Sequence, residues 1–117
     1  MMSRSIPAPT KAEKRRFEKI VAIGCCACRQ HHPESLHPVE VHHLLDGGVR
    51  RGHAFTVALC AWHHRGASPR DFNQKQATGF FGPSMALDGK AFKAEYGDDE
   101  SILRFQEHLI RVCSDTV

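Results

Sequence analysis

The sequence predicts an α+β fold with segregated elements: a central strand–loop–strand–helix unit flanked by an N-terminal helix and C-terminal helices. Three observations predict it. Two runs of strand character, at 39–44 and 54–59, are joined by a glycine-rich connection and followed directly by a helical stretch from Ala61. Segments with helically spaced apolar residues lie to either side of that unit and do not alternate with its strands. Finally, of nine histidines eight fall between His31 and His64, and Cys25, Cys26, Cys28 and Cys60 lie in or just before the same window. Solvated histidines would be scattered, so this clustering of the two best transition-metal ligand types asks for a metal.

Composition sets the bounds. A chain of 117 residues, 41% hydrophobic and 25% charged, is ordinary for a soluble globular protein and too apolar for disorder. Residues 10–117 are expected to form a single domain whose core is modest enough that a metal would help hold it together. Five cysteines, an odd number with a Cys-x-x-Cys spacing, favour metal binding over a disulfide framework. No run approaches the roughly 18 apolar residues that span a bilayer, so no membrane partner is expected. Residues 1–8 lack an apolar h-region, and with no signal peptide the expected location is cytoplasmic.

Taken in order, residues 1–9 carry two prolines and no apolar pattern and read as a disordered lead-in. Thr10-Lys-Ala-Glu13 fits a capping box, and Phe17, Ile20 and Val21 then recur at helical spacing to bury one face. Gly24 ends that helix. The cysteine-rich turn follows, and then a polar loop over 29–37 with Pro33 and Pro38 as breakers. Val39-Glu-Val-His-His-Leu44 and Ala54-Phe-Thr-Val-Ala-Leu59 are the two strands, expected to pair as a hairpin across a flexible connection at 46–52. Cys60 ends the second strand and 61–65 begins a short helix. Residues 66–87 read as loop, broken most clearly at Gly79-Phe-Phe-Gly-Pro83. Asp88 caps a helix that Gly97 terminates, and Asp98 caps a last helix with Ile102, Phe105, Leu109, Ile110 and Cys113 on its buried face.

The chemistry lies in two groups of side chains. Cys25-x-x-Cys28 and Cys60-x-x-His63 supply four soft ligands in two pairs, each with a two-residue spacer that lets both side chains of a tight turn converge on one ion. Zinc accepts such a set as a closed tetrahedron. Cys26 can stand in for Cys25, and His31 or His32 for His63, so those alternatives stay open. His64 follows His63 directly, and consecutive helical residues differ by about 100° in direction, so the two can serve different sites. His64 facing His42 and His43 would leave a histidine group with too few protein atoms to close a coordination sphere, as a catalytic metal site requires. One of these histidines, kept off the metal, suits a general base. In a regular strand, however, His42 and His43 point to opposite faces, so both reach one site only if the strand bends or ends there.

These residues resemble a known family. Cys-x-x-Cys, His-His at a strand end and Leu-Cys-x-x-His-His opening a helix are similar to the HNH endonuclease ββα-metal motif. More narrowly, Gly-Cys-Cys-Ala-Cys-Arg29, Val-His-His-Leu44, Thr-Val-Ala-Leu-Cys-Ala-Trp-His-His-Arg-Gly66, Gly-Pro-Ser84 and Lys-Ala-Phe-Lys-Ala-Glu-Tyr-Gly97 resemble the Ref (recombination enhancement function) nucleases of phages and prophages. The resemblance implies a small zinc-stabilised ββα-metal core. Cys25, Cys28, Cys60 and His63 would hold a structural zinc, and His42 and His64 a catalytic divalent cation, Mg2+ or Mn2+. His43 would be the general base in hydrolysis of a DNA phosphodiester. It also implies a RecA-type recombinase filament as a partner beside DNA.

Two departures stand against the HNH pattern. The middle asparagine has no counterpart, with His53 the favoured replacement and Thr56 the other polar candidate nearby. The helix histidine expected four residues after His64 is Ser68. Net charge is +3, with basic residues at Arg4, Lys11, Lys14, Arg15, Arg16 and Lys19 and again around the histidines. Arg50, Arg51 and Arg65 flank the histidine group and are placed to clamp phosphates, not to read bases. Trp62 is expected to pack over the zinc, and Phe80 and Phe81 to belong to a small core. Two further classes fit the same residues: a zinc-stabilised DNA-binding or adaptor module whose nuclease site has decayed, and a zinc protein that contacts another protein.

Overall fold

The computed structural model of the chain describes residues 7–114. Of the lead-in expected over 1–9, residues 1–6 lie outside the described residues, as do residues 115–117 at the other end. The elements run α1 (Lys11–Ile23), α2 (Cys28–His31), β1 (Val39–His43), β2 (Leu45–Asp46), β3 (Val49–Arg50), β4 (Thr56–Cys60), α3 (Ala61–Arg65), α4 (Gln74–Phe81), α5 (Gly89–Tyr96) and α6 (Asp99–Ser114). This is the α+β arrangement the sequence predicts, with two small antiparallel sheets, β1–β4 and β2–β3.

Local chemistry sets the helix ends. Thr10 and Glu13 exchange hydrogen bonds of 3.1 and 2.9 Å, a complete capping box that satisfies two of the donors orphaned at the start of α1. Gly24 ends α1 at φ 98°, and a side chain there would put its Cβ 2.6 Å from the Cβ of Ser35. Only glycine lets the chain turn so tightly into the cysteines. Ile20 is buried and Phe17 half-buried, but Val21 is 42% exposed, so the apolar face of α1 is narrower than its spacing predicts.

β4 is the spine. Each of its five residues is buried. One edge pairs with β1 in the register Val39↔Cys60 through His43↔Thr56. Side chains from two helices satisfy backbone groups of β4 that β1 does not. Gln106 of α6 accepts from the Ala58 N–H (2.8 Å) and donates to the Thr56 carbonyl (2.7 Å), and Arg16 of α1 donates to that same carbonyl (2.7 Å). A buried glutamine with both ends of its amide engaged is a strong constraint on how α6 sits against the sheet, because an unpaired amide there would be costly.

Three segments differ from their sequence reading. The connection at 46–52 is not featureless: Gly47 and Gly48, both at positive φ, turn the chain so that Leu45 pairs with Arg50 and Asp46 with Val49. The polar loop after Cys28 begins with the single turn α2. Most consequential is α4, in the stretch read as loop. Asn73 and Gln76 make its capping box with bonds of 2.8 and 2.9 Å, but only Ala77 is buried, so no apolar stripe announces the helix.

Candidate metal centre and active site

Four elements converge on one buried point. The turn after Gly24 delivers Cys25 and α2 opens with Cys28; Cys60 ends β4 and caps α3, and His63 follows one turn later. All four ligand atoms lie within 4.8 Å of one another, and none of the four residues is more than 4% exposed. His63 Nδ1 stands 3.4, 3.5 and 3.3 Å from the sulfurs of Cys25, Cys28 and Cys60, and the Cys28 and Cys60 sulfurs are 3.9 Å apart. A tetrahedral zinc with ordinary Zn–S and Zn–N lengths requires edges of roughly 3.6 Å (S···N) and roughly 3.8 Å (S···S). The donor set and its spacing fit a zinc ion.

The surroundings fit as well. The N–H groups of Cys28 and His63 point at the Cys25 and Cys60 sulfurs from 3.4 and 3.5 Å, a contact that favours thiolate. His63 Nε2 donates to the Phe81 carbonyl at 2.8 Å, and the Tyr96 hydroxyl donates to the same oxygen at 2.7 Å. That bond fixes the tautomer with Nδ1 facing the sulfurs, as an outer-shell partner should. Phe81 is the last residue of α4, so a helix with no apolar signature supplies the acceptor. Trp62 is buried in the same cluster and donates to the Gly82 carbonyl at 2.9 Å.

Charge within the cluster shows what an ion would neutralise. Burial pushes the Cys25 thiol well up, while hydrogen bonds from Cys25 and Cys60 hold Cys28 far below the thiol range. Burial pulls the His63 imidazole down, but the bonds to Cys28 and Cys60 overcome it and carry it up to about 9. Cys26 stays outside the group, its thiol pushed up to about 12 by burial. His31 pairs with Glu95 at 2.9 Å, and His32 is exposed, so neither takes the place of His63 in the cluster.

The remaining histidines divide into two pairs. β1 remains paired with β4 through His43, so His42 and His43 fall on opposite faces. His42 meets His64 of α3, ring centroids 5.0 Å apart. His43 meets His53, with 3.1 Å between His43 Nε2 and His53 Nδ1. Burial is the first cause lowering both His42 and His43 below the ordinary histidine value; His64 adds to it at His42, and Arg50 and His53 at His43. Both therefore favour the neutral imidazole, the form that binds a metal or accepts a proton.

Glu40, absent from the sequence reading, completes the His42–His64 face. Its Oε1 lies 2.7 Å from His64 Nδ1, and Arg65 Nε donates to both of its carboxylate oxygens at 3.0 and 2.8 Å. The hydrogen bond from His64 is the first cause holding that carboxyl below the usual range. The signal was legible in principle, since Glu40 and His42 are two apart on a strand and share a face. Arg51 is turned toward Glu100 and stacks 4.4 Å above the Phe55 ring, whereas Arg50 is exposed beside the turn. Phe80 is 65% exposed and is not a core residue; its ring leans on Phe81 and Phe72 at the surface.

No helix among the described residues is long and apolar enough to cross a membrane. No solved structure matches the chain. The sequence model of a family described as recombination enhancement, RecA-dependent nuclease matches residues 9–111, from the cap of α1 to near the end of α6. With so much of its length matched, the chain belongs to that family of RecA-dependent nucleases.

Proposed function

We propose that the protein is a metal-dependent DNA endonuclease of the HNH type, acting together with a RecA-type recombinase filament in recombination. The observation that carries this reading is the meeting of His42 of β1 with His64 of α3, the residue that follows the cluster ligand His63. In this reading Cys25, Cys28, Cys60 and His63 hold a structural zinc. His42 and His64 hold the catalytic divalent cation, with Glu40 keeping the proton on His64 Nδ1 so that Nε2 is presented as the ligand atom. Two imidazoles with open positions suit manganese readily, and magnesium provided water and phosphate oxygens complete its shell.

Hydrolysis then proceeds at the end of β1. His43 takes a proton from water as the water oxygen forms a bond to phosphorus. The bond from phosphorus to the 3′ oxygen breaks in the same displacement, and the departing oxygen gains a proton from solvent, giving 5′-phosphate and 3′-hydroxyl ends. A divalent ion bound at His42 and His64 supplies electrostatic stabilisation of the scissile phosphate and the leaving oxygen. Because His43 is the last residue of its strand, a phosphate laid across the strand end meets both of its faces. Arg50 lies close enough to His43 to act on its imidazole, and Arg65 stands at Glu40 on the His42–His64 face. Arg51 joins them by leaving Glu100, a surface pair of small energetic worth.

The test is cleavage of supercoiled plasmid and of single-stranded circles by chelator-treated, zinc-retaining protein, with added magnesium or manganese, with and without recombinase filament. The wild type cuts and His64→Ala and His43→Ala do not. A wild type that binds DNA in a salt-sensitive way yet never cuts under any of these conditions would favour the decayed DNA-binding module instead.

A further inference from the structure

His43 and His53 are the first two members of a hydrogen-bond chain that ends outside both rings. His53 Nε2 lies 2.7 Å from the carbonyl oxygen of Pro7, and His53 Nδ1 lies 3.1 Å from His43 Nε2. A peptide carbonyl can only accept, so the hydrogen of that first bond belongs to His53 Nε2. A neutral imidazole has one N–H, which leaves His53 Nδ1 as a lone pair. The hydrogen of the second bond therefore belongs to His43 Nε2, and the lone pair of His43 sits on Nδ1.

We infer that His53 is a positioning residue for the cleavage reaction: anchored on the Pro7 carbonyl, it holds His43 in the Nε2–H tautomer and leaves Nδ1 as the nitrogen that takes the proton from the attacking water. This rests on the reading of His43 as general base. The surroundings hold the chain in place from both sides. The carbonyl of His53 accepts from the Thr56 hydroxyl at 2.8 Å, and Thr56 is the register partner of His43. The Leu44 N–H bonds the Phe55 carbonyl at 2.9 Å, and the Arg51 N–H bonds the Leu44 carbonyl at 3.0 Å, so the backbone after His43 is tied to the backbone on both sides of His53. Phe17 of α1 closes the space edge-on, its ring 5.5 Å from that of His53 and 6.3 Å from that of His43. A free histidine samples both tautomers; this one is dictated by a backbone oxygen two bonds away.

The tautomer is directly observable. In zinc-loaded protein labelled with 15N at the histidine rings, two-bond proton–nitrogen correlations are expected to show His43 protonated at Nε2 and bare at Nδ1. In His53→Phe, which keeps a ring and removes the acceptor, His43 becomes a mixture of tautomers and single-turnover cleavage falls about 10²-fold, the low end of what general-base catalysis contributes. In His53→Gln, whose amide oxygen can accept from His43, the Nε2–H form returns and cleavage stays within about tenfold of wild type. A wild-type His43 protonated at Nδ1 overturns the inference, and so does a His53→Phe spectrum identical to wild type at His43. Undiminished cleavage by His43→Ala would sink the general-base reading instead, and the spectra would still report the hydrogen-bond chain separately.

Discussion

The cysteine–histidine cluster and the imidazole pairs meet at α3, which carries both His63 and His64, yet they are built in opposite ways. In the cluster every ligand is buried, each ligand atom faces the others, and the outward nitrogen of His63 is already spent on a helix-end carbonyl. The imidazole pairs are half-buried, lie on two faces of one strand, and leave His42, His43 and His64 each with a ring nitrogen not spent on a hydrogen bond among the described residues. A closed set with a satisfied outer shell stabilises a fold; a set with open positions can exchange ligands. Two adjacent pairs of residues accomplish the division. His63 and His64 diverge by the roughly 100° step of a helix, and His42 and His43 by the alternation of a strand. These four histidines, two adjacent pairs in the sequence, thus serve three separate environments.

The comparison breaks most visibly at the closed site. Structural zinc contributes about 10–16 kcal/mol of folding free energy in small domains, as much as the whole stability of a typical one. Cys28→Ser, or removal of zinc by a strong chelator, is expected to abolish the cooperative thermal transition and most of the helical circular dichroism. A chelated protein that still melts cooperatively within a few degrees of the holo form would show that the cluster is not what holds the fold. The open site should respond in the other currency. His43→Ala is expected to keep its zinc and its melting temperature while cleavage drops about 10²–10⁴-fold, the usual span for loss of a general base. Atomic absorption and a melt on the same preparation as the cleavage assay check both halves.

The same contrast explains what could be read from the sequence. Ligand spacing is local, so Cys25, Cys28, Cys60 and His63 were visible as two pairs, and α1 and α5 announced themselves through Thr10 and Asp88. Which cysteine of Cys25 and Cys26 faces the ion was not, because it depends on the turn that Gly24 and Ser35 make together. α4 escaped notice because a helix lying on the surface with only Ala77 buried has no periodic stripe, and its contribution to the cluster comes from backbone carbonyls, which carry no sequence signal. Glu40 escaped for a different reason: its partner His64 is 24 positions away, and only the β1–α3 packing brings them together. The alternation of His42 and His43 was foreseen as a difficulty, and the unbroken register through His43↔Thr56 makes it real.

Glu40 offers a finer cut between the two sites. It touches His64 and Arg65 and nothing in the cluster. Outer-shell partners of metal-binding histidines typically contribute 10–100-fold to metal affinity or activity. Glu40→Ala is therefore expected to raise the manganese concentration for half-maximal cleavage by about that factor while zinc content stays at wild type. Loss of zinc in this variant would mean that the two sites are not separable through α3, and the contrast between closed and open would have to be given up.

The smallest effect concerns protons at His42. Burial, reinforced by His64, lowers its imidazole below the ordinary value, so between that value and the folded one the unfolded chain binds more protons than the native chain. Stability must then fall as pH drops through that window and be independent of this group above it. The shift is modest and the side chain half-exposed, so the consequence is a shallow acid limb of a few degrees in melting temperature. His42→Gln removes the titrating group and should flatten that limb relative to wild type, measured on zinc-loaded protein without added magnesium or manganese from neutral pH down to about 5.5. Any acid sensitivity of the cysteine cluster is common to both proteins and cancels in the difference. If the two limbs coincide, His42 is more hydrated than its position against His64 implies, and its nitrogen would have less to gain from giving up water for a metal.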